Sequence, residues 1–209
     1  MKPNNTNNAQ GQIFSSKYLE VLSRANPKVS ALIYTLVIVF FLVVGYRLNV
    51  TEHFTNALII FLFAMFFWTF FEYLAHRYFF HLDHYFPKSK VAERVAYIFH
   101  GIHHDYPRDV SRLIMPPAPG LLIIAVLFAI GWFIMGTLTY LFLPGFLTGY
   151  LLYTYVHYKS HVTPVPGYLK YQYRHHALHH YKDQDQAFGV SSPFWDWVFG
   201  TMPKIGKEE

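Results

Sequence analysis

Long uncharged apolar runs alternate with polar segments along the chain. Residues 29–46 and 54–71 carry no Asp, Glu, Lys or Arg, and each is about as long as one membrane crossing requires. Residues 113–156 are also free of these residues, enough for two crossings of a ~30 Å core at about 1.5 Å per residue. The turn between those two crossings falls at residues 143–145, which include a proline, or near 136–137. The pattern predicts an all-α integral membrane fold with four transmembrane helices in two hairpins.

Composition and charge placement strengthen the membrane interpretation. Charged residues make up only 14% of the chain, where about 25% is usual for a soluble domain. The basic residues concentrate before the first predicted span, between the second and third, and after the fourth, while Arg47 is the basic residue of the outer turns. By the positive-inside rule this places both termini and the middle segment in the cytoplasm, so the net charge of +5 reflects topology rather than nucleic-acid binding.

The chain divides into three predicted parts. Residues 1–28 form a polar, partly disordered N-terminal segment, residues 29–203 a single membrane domain, and residues 204–209 a C-terminal tail. The Asn-rich start is not a cleavable signal peptide. The absence of cysteine excludes disulfides, thiolate metal sites and iron–sulfur clusters.

Ten of the 13 histidines fall into four tight clusters. Imidazole is the commonest neutral metal ligand, and ten such rings suit two ions better than one. Because an even number of crossings separates the second cluster from the third, all four converge at one membrane–cytoplasm boundary, in a helical cap. The clusters are His76 and His81; His100, His103 and His104; His157 and His161; and His176, His179 and His180.

Local spacing predicts the helices that present these rings. Residues 90–104 and 170–180 are expected to be helical, and His157 and His161 lie i, i+4 on an extension of the fourth span. His76 and His81 are i, i+5, about 140° apart on a regular helix, so that segment must unwind or bulge if both rings bind metal. A metal transporter would place ligands near the bilayer midplane, whereas these cap the helices.

The strings around the clusters resemble the fatty acid hydroxylase superfamily of membrane histidine-box oxygenases, and most closely its fatty acid 2-hydroxylase branch. They are the stretch from Glu72 through Arg77 with His81, the run from His100 to His104 followed by Pro107, residues 111–117, and residues 188–191 leading to Trp195 and Asp196. The resemblance covers residues 67–202.

That resemblance implies a dinuclear centre, iron in the working enzyme with zinc as a possible bound species, that uses O2 to hydroxylate a C–H bond. One ion would take His76, His81, His100, His104 and His179. The other would take His103, His157, His161, His176 and His180. His53, His84 and His175 are not expected to be ligands. No residue beyond the ligands is predicted to be catalytic. Glu72, Tyr153 and Asp196 are candidates to orient a ligand or contact substrate, although an architectural role is favoured for Asp196, and a pair with Arg77 or another base suits Glu72 equally well.

The expected reaction is hydroxylation of a lipid acyl chain at carbon 2, in a fatty acid or a ceramide-like N-acyl chain. Relatives carry Asp where this chain has Thr154, which leaves open a carotenoid-ring or sterol-methyl hydroxylase. A third alternative is a membrane metal-binding protein without turnover. Residues 1–27 are too short for the cytochrome b5 domain of some relatives, so a separate cytochrome b5-like or ferredoxin-like donor is expected. A bacterial plasma membrane is favoured over endoplasmic reticulum.

Overall fold

The structure is a computed structural model that describes residues 10–162 and 164–204. Within those ranges the protein is all-helical. Its α-helices are α1 (Lys17–Leu22), α2 (Pro27–Arg47), α3 (Phe54–Leu74), α4 (Leu82–Tyr85), α5 (Lys90–Ala96), α6 (Ile102–Asp105), α7 (Pro117–Met135), α8 (Thr139–His161), α9 (Lys170–Tyr181) and α10 (Phe194–Val198). The remaining helical segments are π-helices at Ala75–Phe80 and Tyr97–Gly101 and 3-10 turns at Val110–Arg112, Gly136–Leu138 and Gly167–Leu169.

Among the described residues, three segments are long and apolar enough to cross a membrane: Pro27–Arg47, Phe54–Phe80 and Val110–His161. The first two contain the predicted first and second spans, and the third contains the whole stretch in which two spans were expected. That third segment holds α7 and α8, joined by the 3-10 turn at Gly136–Leu138.

The break between α7 and α8 lies at Gly136, one of the two positions that the sequence left open. Gly136 has φ +58° and ψ −132°, a conformation available to glycine but strained for other residues. Pro144, the other candidate, lies inside α8. A proline removes one hydrogen bond from a helix, yet membrane helices tolerate this where neighbours satisfy the freed group, and Pro144 is fully buried.

The chain forms two compact units. Of the described residues, the span unit comprises Gln12–Trp68 and Val110–Thr154, and the histidine unit comprises residues 10–11, 69–109, 155–162 and 164–204. The predicted N-terminal segment and C-terminal tail lie partly outside the described residues, namely at 1–9 and 205–209. The described part of the N-terminal segment includes helix α1.

Close helix approaches at glycine organise the span unit. A Cβ at Gly120 would lie 1.9 Å from the Tyr34 hydroxyl oxygen, which donates to the carbonyl of Met115 at 3.0 Å. A Cβ at Gly149 would lie 2.5 Å from the Trp68 side chain. Small residues let membrane helices pack backbone to side chain in this way, so α2 contacts α7 and α3 contacts α8.

An ion pair links the N-terminal part of the span unit to the segment before α7. The Arg112 guanidinium, with 2% of its side chain exposed, donates to a Glu20 carboxylate oxygen and to the Ser23 carbonyl oxygen, the latter at 2.7 Å. Arg24 also pairs with Glu20, at 3.1 Å. These contacts join α1 to the turn that precedes α7.

In the histidine unit, the helix predicted at 90–104 consists of α5, a π-helix and α6, and the one predicted at 170–180 is α9, Lys170–Tyr181. The predicted departure from regular helix between His76 and His81 is a π-helix, Ala75–Phe80. A π-helix bonds each residue to the fifth along rather than the fourth, which brings i and i+5 to neighbouring positions on one face. This backbone lets His76 and His81 point to the same place.

Candidate metal centre

All ten clustered histidines lie in the histidine unit. His76 lies in the first π-helix and His81 directly follows it, while His157 and His161 occupy the last turns of α8. The two remaining clusters lie at the second π-helix with α6 and on α9. The rings form two groups, within each of which one ligand nitrogen per residue lies within 4.8 Å of all the others. The first group is His76, His81, His100, His104 and His179, and the second group is His103, His157, His161, His176 and His180. This is the division that the sequence resemblance implied.

Within the first group the Nε2 atoms point at one another. The Nε2 of His76 lies 3.0 Å from the Nε2 of His100 and 3.0 Å from that of His179. The Nε2 of His81 is 3.2 Å from that of His179, and the Nε2 of His104 is 2.9 Å from that of His100. Two nitrogens bound at about 2.1 Å to one ion, at right angles, are separated by about 3.0 Å, so these distances suit ligands of a shared ion.

The second group repeats this arrangement. The Nε2 of His103 lies 3.0 Å from that of His157 and 3.1 Å from that of His180. The Nε2 of His176 lies 3.1 Å from that of His180 and 2.9 Å from that of His161. In each triple of the form His-x2-His-His, the outer two rings join one group and the middle ring joins the other.

The tautomers of two rings show that these contacts are not ordinary hydrogen bonds. The Nδ1 of His76 lies 2.6 Å from the carbonyl oxygen of Phe188, and the Nδ1 of His179 lies 2.8 Å from that of Gln186. A carbonyl oxygen only accepts, so each Nδ1 carries the ring proton and each Nε2 of the neutral ring is a bare lone pair. Two bare lone pairs that face each other at 3.0 Å repel unless a cation lies between them. The residues therefore fit a bound metal ion.

Burial keeps the rings neutral, as ligation requires. Desolvation, with a smaller contribution from the neighbouring His81 ring, lowers the pKa of His179 to about 3. Desolvation, with a smaller contribution from the His84 ring, lowers the pKa of His81 to about 4. Desolvation followed by the neighbouring imidazoles also holds the pKa well below its ordinary value in the other buried rings outside the spans: His100, His103, His104, His176 and His180.

Two carboxylates hold the segment that accepts from His76 and His179. Asp196, which is fully buried, accepts from the backbone N–H of Phe188 at 2.9 Å and from that of Gly189 at 2.8 Å. Glu72 accepts from the backbone N–H of Val190 at 2.7 Å and from the hydroxyl and N–H of Ser191, the N–H at 2.9 Å. We call residues 186–191 the carbonyl segment. Both carboxylates therefore bind the backbone whose carbonyl oxygens accept from His76 and His179.

The other candidates from the sequence lie in different settings. Tyr153 belongs to the span unit, where its ring packs against Trp68. His175 faces Asp196, with its Nε2 3.0 Å from a carboxylate oxygen. His84 is exposed, and its Nδ1 lies 2.8 Å from an Asp185 oxygen. His81, Asp83 and His84 also come within 4.8 Å of one another. His53 is exposed in the turn before α3.

Sequence reasoning missed the two carbonyl acceptors. Gln186 and Phe188 contribute backbone oxygens, which any residue supplies, so side-chain identity gives no signal. The nearest signal in the sequence is the run at residues 188–191. It belongs to the family resemblance, but the resemblance assigns it no role. The contact of His76 with Phe188 spans 112 residues and follows only from the tertiary fold.

An open cavity of about 340 Å³ adjoins the second group. His161, His176 and His180 line it together with polar side chains that include Arg108 and Ser160. The second group therefore borders space that a small molecule or ion can enter.

Comparison with known proteins gives one family. A family model described as fatty acid hydroxylase matches residues 61–201. The ceramide very long chain fatty acid hydroxylase scs7 of Schizosaccharomyces pombe is 38% identical over 163 residues, covering 75% of this chain and 46% of that protein. Mouse fatty acid 2-hydroxylase is 38% identical over 148 residues, covering 68% of this chain and 39% of that protein. The chain thus spans less than half the length of these curated relatives.

A solved structure, that of full-length scs7p with only the hydroxylase domain visible, has a similar fold. It aligns with a TM-score of 0.81 at 31% identity and covers 92% of this chain and 72% of that chain. The two relatives named above are eukaryotic proteins, so they give no support to the expected bacterial plasma membrane.

Proposed function

This chain belongs to the fatty acid hydroxylase family, and we propose that it hydroxylates a lipid acyl chain at carbon 2 with a dinuclear metal centre. The observation that carries the proposal is the convergence of two sets of five imidazole Nε2 atoms, with the bare lone pairs of His76 and His179 facing each other at 3.0 Å. The first group would hold one ion and the second group the other.

When bound by the two groups of rings, the ions, proposed to be iron, would supply the chemistry that reduces O2, with one oxygen atom inserted into a C–H bond and the other released as water. This reaction consumes two electrons and two protons that must come from outside the site. We assign the electrons to a separate one-electron donor protein of cytochrome b5-like or ferredoxin-like type. The chain's own residues bury nine of the ten rings and aim their Nε2 atoms at two shared positions.

The proposed substrate is a fatty acid or a ceramide-like N-acyl lipid. The fission yeast and mouse relatives support this class, since one is named a ceramide very long chain fatty acid hydroxylase and the other a fatty acid 2-hydroxylase. Oxidation beside the head group also agrees with the order along the chain, because His76 follows directly on the apolar helix α3, and His157 and His161 end α8.

We further propose four membrane spans, namely α2, α3, α7 and α8, with the histidines on the cytoplasmic side. α7 and α8 have 19 and 23 residues, about 28 and 34 Å of helix, so each matches a ~30 Å core. Because the chain has no cysteine, single cysteines report sidedness cleanly. Glu52→Cys should react with an impermeant thiol reagent from outside intact cells and Lys88→Cys only after permeabilisation; the opposite result would reverse the topology.

Lipid mass spectrometry tests the activity. Cells that express the chain should accumulate lipids with one added oxygen at acyl carbon 2, and His179→Ala should abolish them. His53→Ala, which changes a histidine outside both groups, is the matched control and should retain activity. Oxidised carotenoid or sterol in place of these lipids would instead indicate a carotenoid-ring or sterol-methyl hydroxylase. Altered metal handling without any oxygenated lipid would indicate a membrane metal-binding protein without turnover.

A further inference from the structure

The two groups of histidines differ in the hydrogen bonds made by the Nδ1 atoms of their rings, on the side opposite to the Nε2 atoms. In the first group, the Nδ1–H of His76 and of His179 donates to a carbonyl oxygen, at 2.6 and 2.8 Å. In the second group, the Nδ1 atoms of His103, His176 and His180 are buried and have no hydrogen-bond partner among the described atoms. The first group also contains one such ring, His104. A donated Nδ1–H fixes the orientation of a ligand ring and raises its basicity.

The two carbonyl acceptors are themselves firmly held. Between them lies Ala187, which has φ +60°, a left-handed conformation that costs a non-glycine residue of order 1–3 kcal/mol. Its N–H donates to the Thr201 carbonyl oxygen at 2.9 Å, and Asp196 and Glu72 bind the four residues that follow. Such strain persists where surrounding bonds over-determine the backbone. The carbonyl segment is therefore a rigid support for the first group.

The second group also differs in its access to solvent. The cavity of about 340 Å³ is lined by three of its five rings, His161, His176 and His180. A chelator or a competing ligand that enters this cavity meets the second group directly. Fewer hydrogen bonds to the rings and easier access for a chelator both favour faster loss of an ion from the second group.

We infer that the two metal sites are unequal: the first group retains its ion, and the second group exchanges its ion readily. This rests on the proposed function, since it requires that both groups bind metal. Losing the hydrogen-bond partners of ligand rings typically costs 10–100-fold in metal affinity. We therefore expect the two ions to leave at rates that differ by about 10-fold or more. The exchangeable ion lies beside the cavity.

Zinc release from the purified full-length protein tests this directly. Protein loaded with two equivalents of zinc is mixed with excess chelator, and zinc transfer is followed with an indicator dye. The expected result is two phases of one equivalent each. His161→Ala should remove the fast phase and keep the slow one, and His81→Ala should do the reverse. A single phase of two equivalents, or the opposite assignment, would overturn the inequality. Failure to bind zinc or iron at all would instead contradict the metal centre itself.

A second set of variants tests the carbonyl segment as the cause. Asp196→Asn should accelerate the slow phase about 10-fold or more while the fast phase stays unchanged, a selective effect that general unfolding would not produce. Ser191→Ala, which removes one bond to Glu72, should act in the same direction more weakly and serves if the buried Asp196 variant does not fold. Glu93→Gln, an exposed carboxylate on α5, is the matched control and should change neither phase. A slow phase unaltered in both test variants would refute the role of the segment.

Discussion

Gly189→Ala tests whether the carbonyl segment is as tightly held as its contacts suggest. A Cβ at this position would lie 2.2 Å from the Ser192 carbonyl oxygen and 2.9 Å from an Asp196 carboxylate oxygen. Ordinary contacts begin at 3.4 Å, so the Ser192 backbone would have to retreat by roughly 1 Å. Backbone gives way less easily than the end of a flexible side chain, and the Asp196 oxygen is the acceptor for the Gly189 N–H itself.

The magnitude follows from two costs. Overpacking of this kind costs about 1–3 kcal/mol, and disturbing one hydrogen bond to a buried carboxylate adds about 1.5–3 kcal/mol if it is lost. Because relaxation spares part of each, we expect a loss of about 2–4 kcal/mol in the free energy of unfolding. For a protein of this size that corresponds to roughly 4–16 °C in the melting temperature.

The assay is thermal unfolding of the zinc-loaded protein in detergent, together with its zinc content. Gly167→Ala is the matched control, since a Cβ there meets nothing within 4 Å. Gly189→Ala should melt several degrees below Gly167→Ala and lose zinc faster from the first group. Equal melting temperatures for the two variants would refute the view that the segment is rigid.

Three further outcomes follow from the structure. The metal-free protein should lose stability as the pH falls from about 6.5 towards 4, because unfolded histidines take up protons there while the lowered pKa values of His81, about 4, and His179, about 3, keep the folded rings neutral. Arg112→Met should lower the free energy of unfolding by about 1–3 kcal/mol, because Glu20 loses one of its two arginine partners and the Ser23 carbonyl oxygen loses this donor. Gly136→Ala should cost about 1–3 kcal/mol through backbone strain alone, since nothing lies within 4 Å of the added Cβ.

Melting curves check each of these outcomes. A metal-free protein that grows more stable between pH 6.5 and 4.5 would contradict the neutral-ring assignment. Arg47→Met, an exposed arginine at the end of α2, is the control for Arg112 and should change stability little. A Gly136→Ala variant as stable as the parent would show that the turn accepts a side chain in another backbone conformation.

Much of the centre could be predicted from the sequence because its chemistry is carried by side chains. Apolar runs located the long helices, and the resemblance gave the division of rings into two groups. What could not be predicted depends on backbone atoms: the acceptors at Gln186 and Phe188, and the fixing of that backbone by Asp196. Such contacts join residues far apart in sequence, and local spacing carries no trace of them.

The break in the long apolar stretch illustrates the same limit. Both Pro144 and Gly136 are helix-disrupting residues, and propensity alone favours the proline as the stronger of the two. The structure keeps Pro144 inside a buried helix and turns at Gly136, where the required φ of +58° suits glycine. The sequence presents Pro144 and Gly136 as alternative positions for the turn, and only the tertiary structure distinguishes them.

The π-helix between His76 and His81 sets how the chain can tolerate changes in length. A π turn accommodates one more residue than the α turn it replaces, and here the extra residue lies between two rings of one group. Deleting a single residue at 77–80 would let regular α-helix close through the segment and place the two rings four apart, which again puts them on one helical face, while the later residues keep nearly their present orientation. An insertion or deletion in the α2–α3 turn, which carries none of the ten rings, leaves all of these spacings intact. A change of one residue in length should therefore be tolerated at this helical turn as well as in the α2–α3 turn, because α and π backbones each bring the two rings to one face.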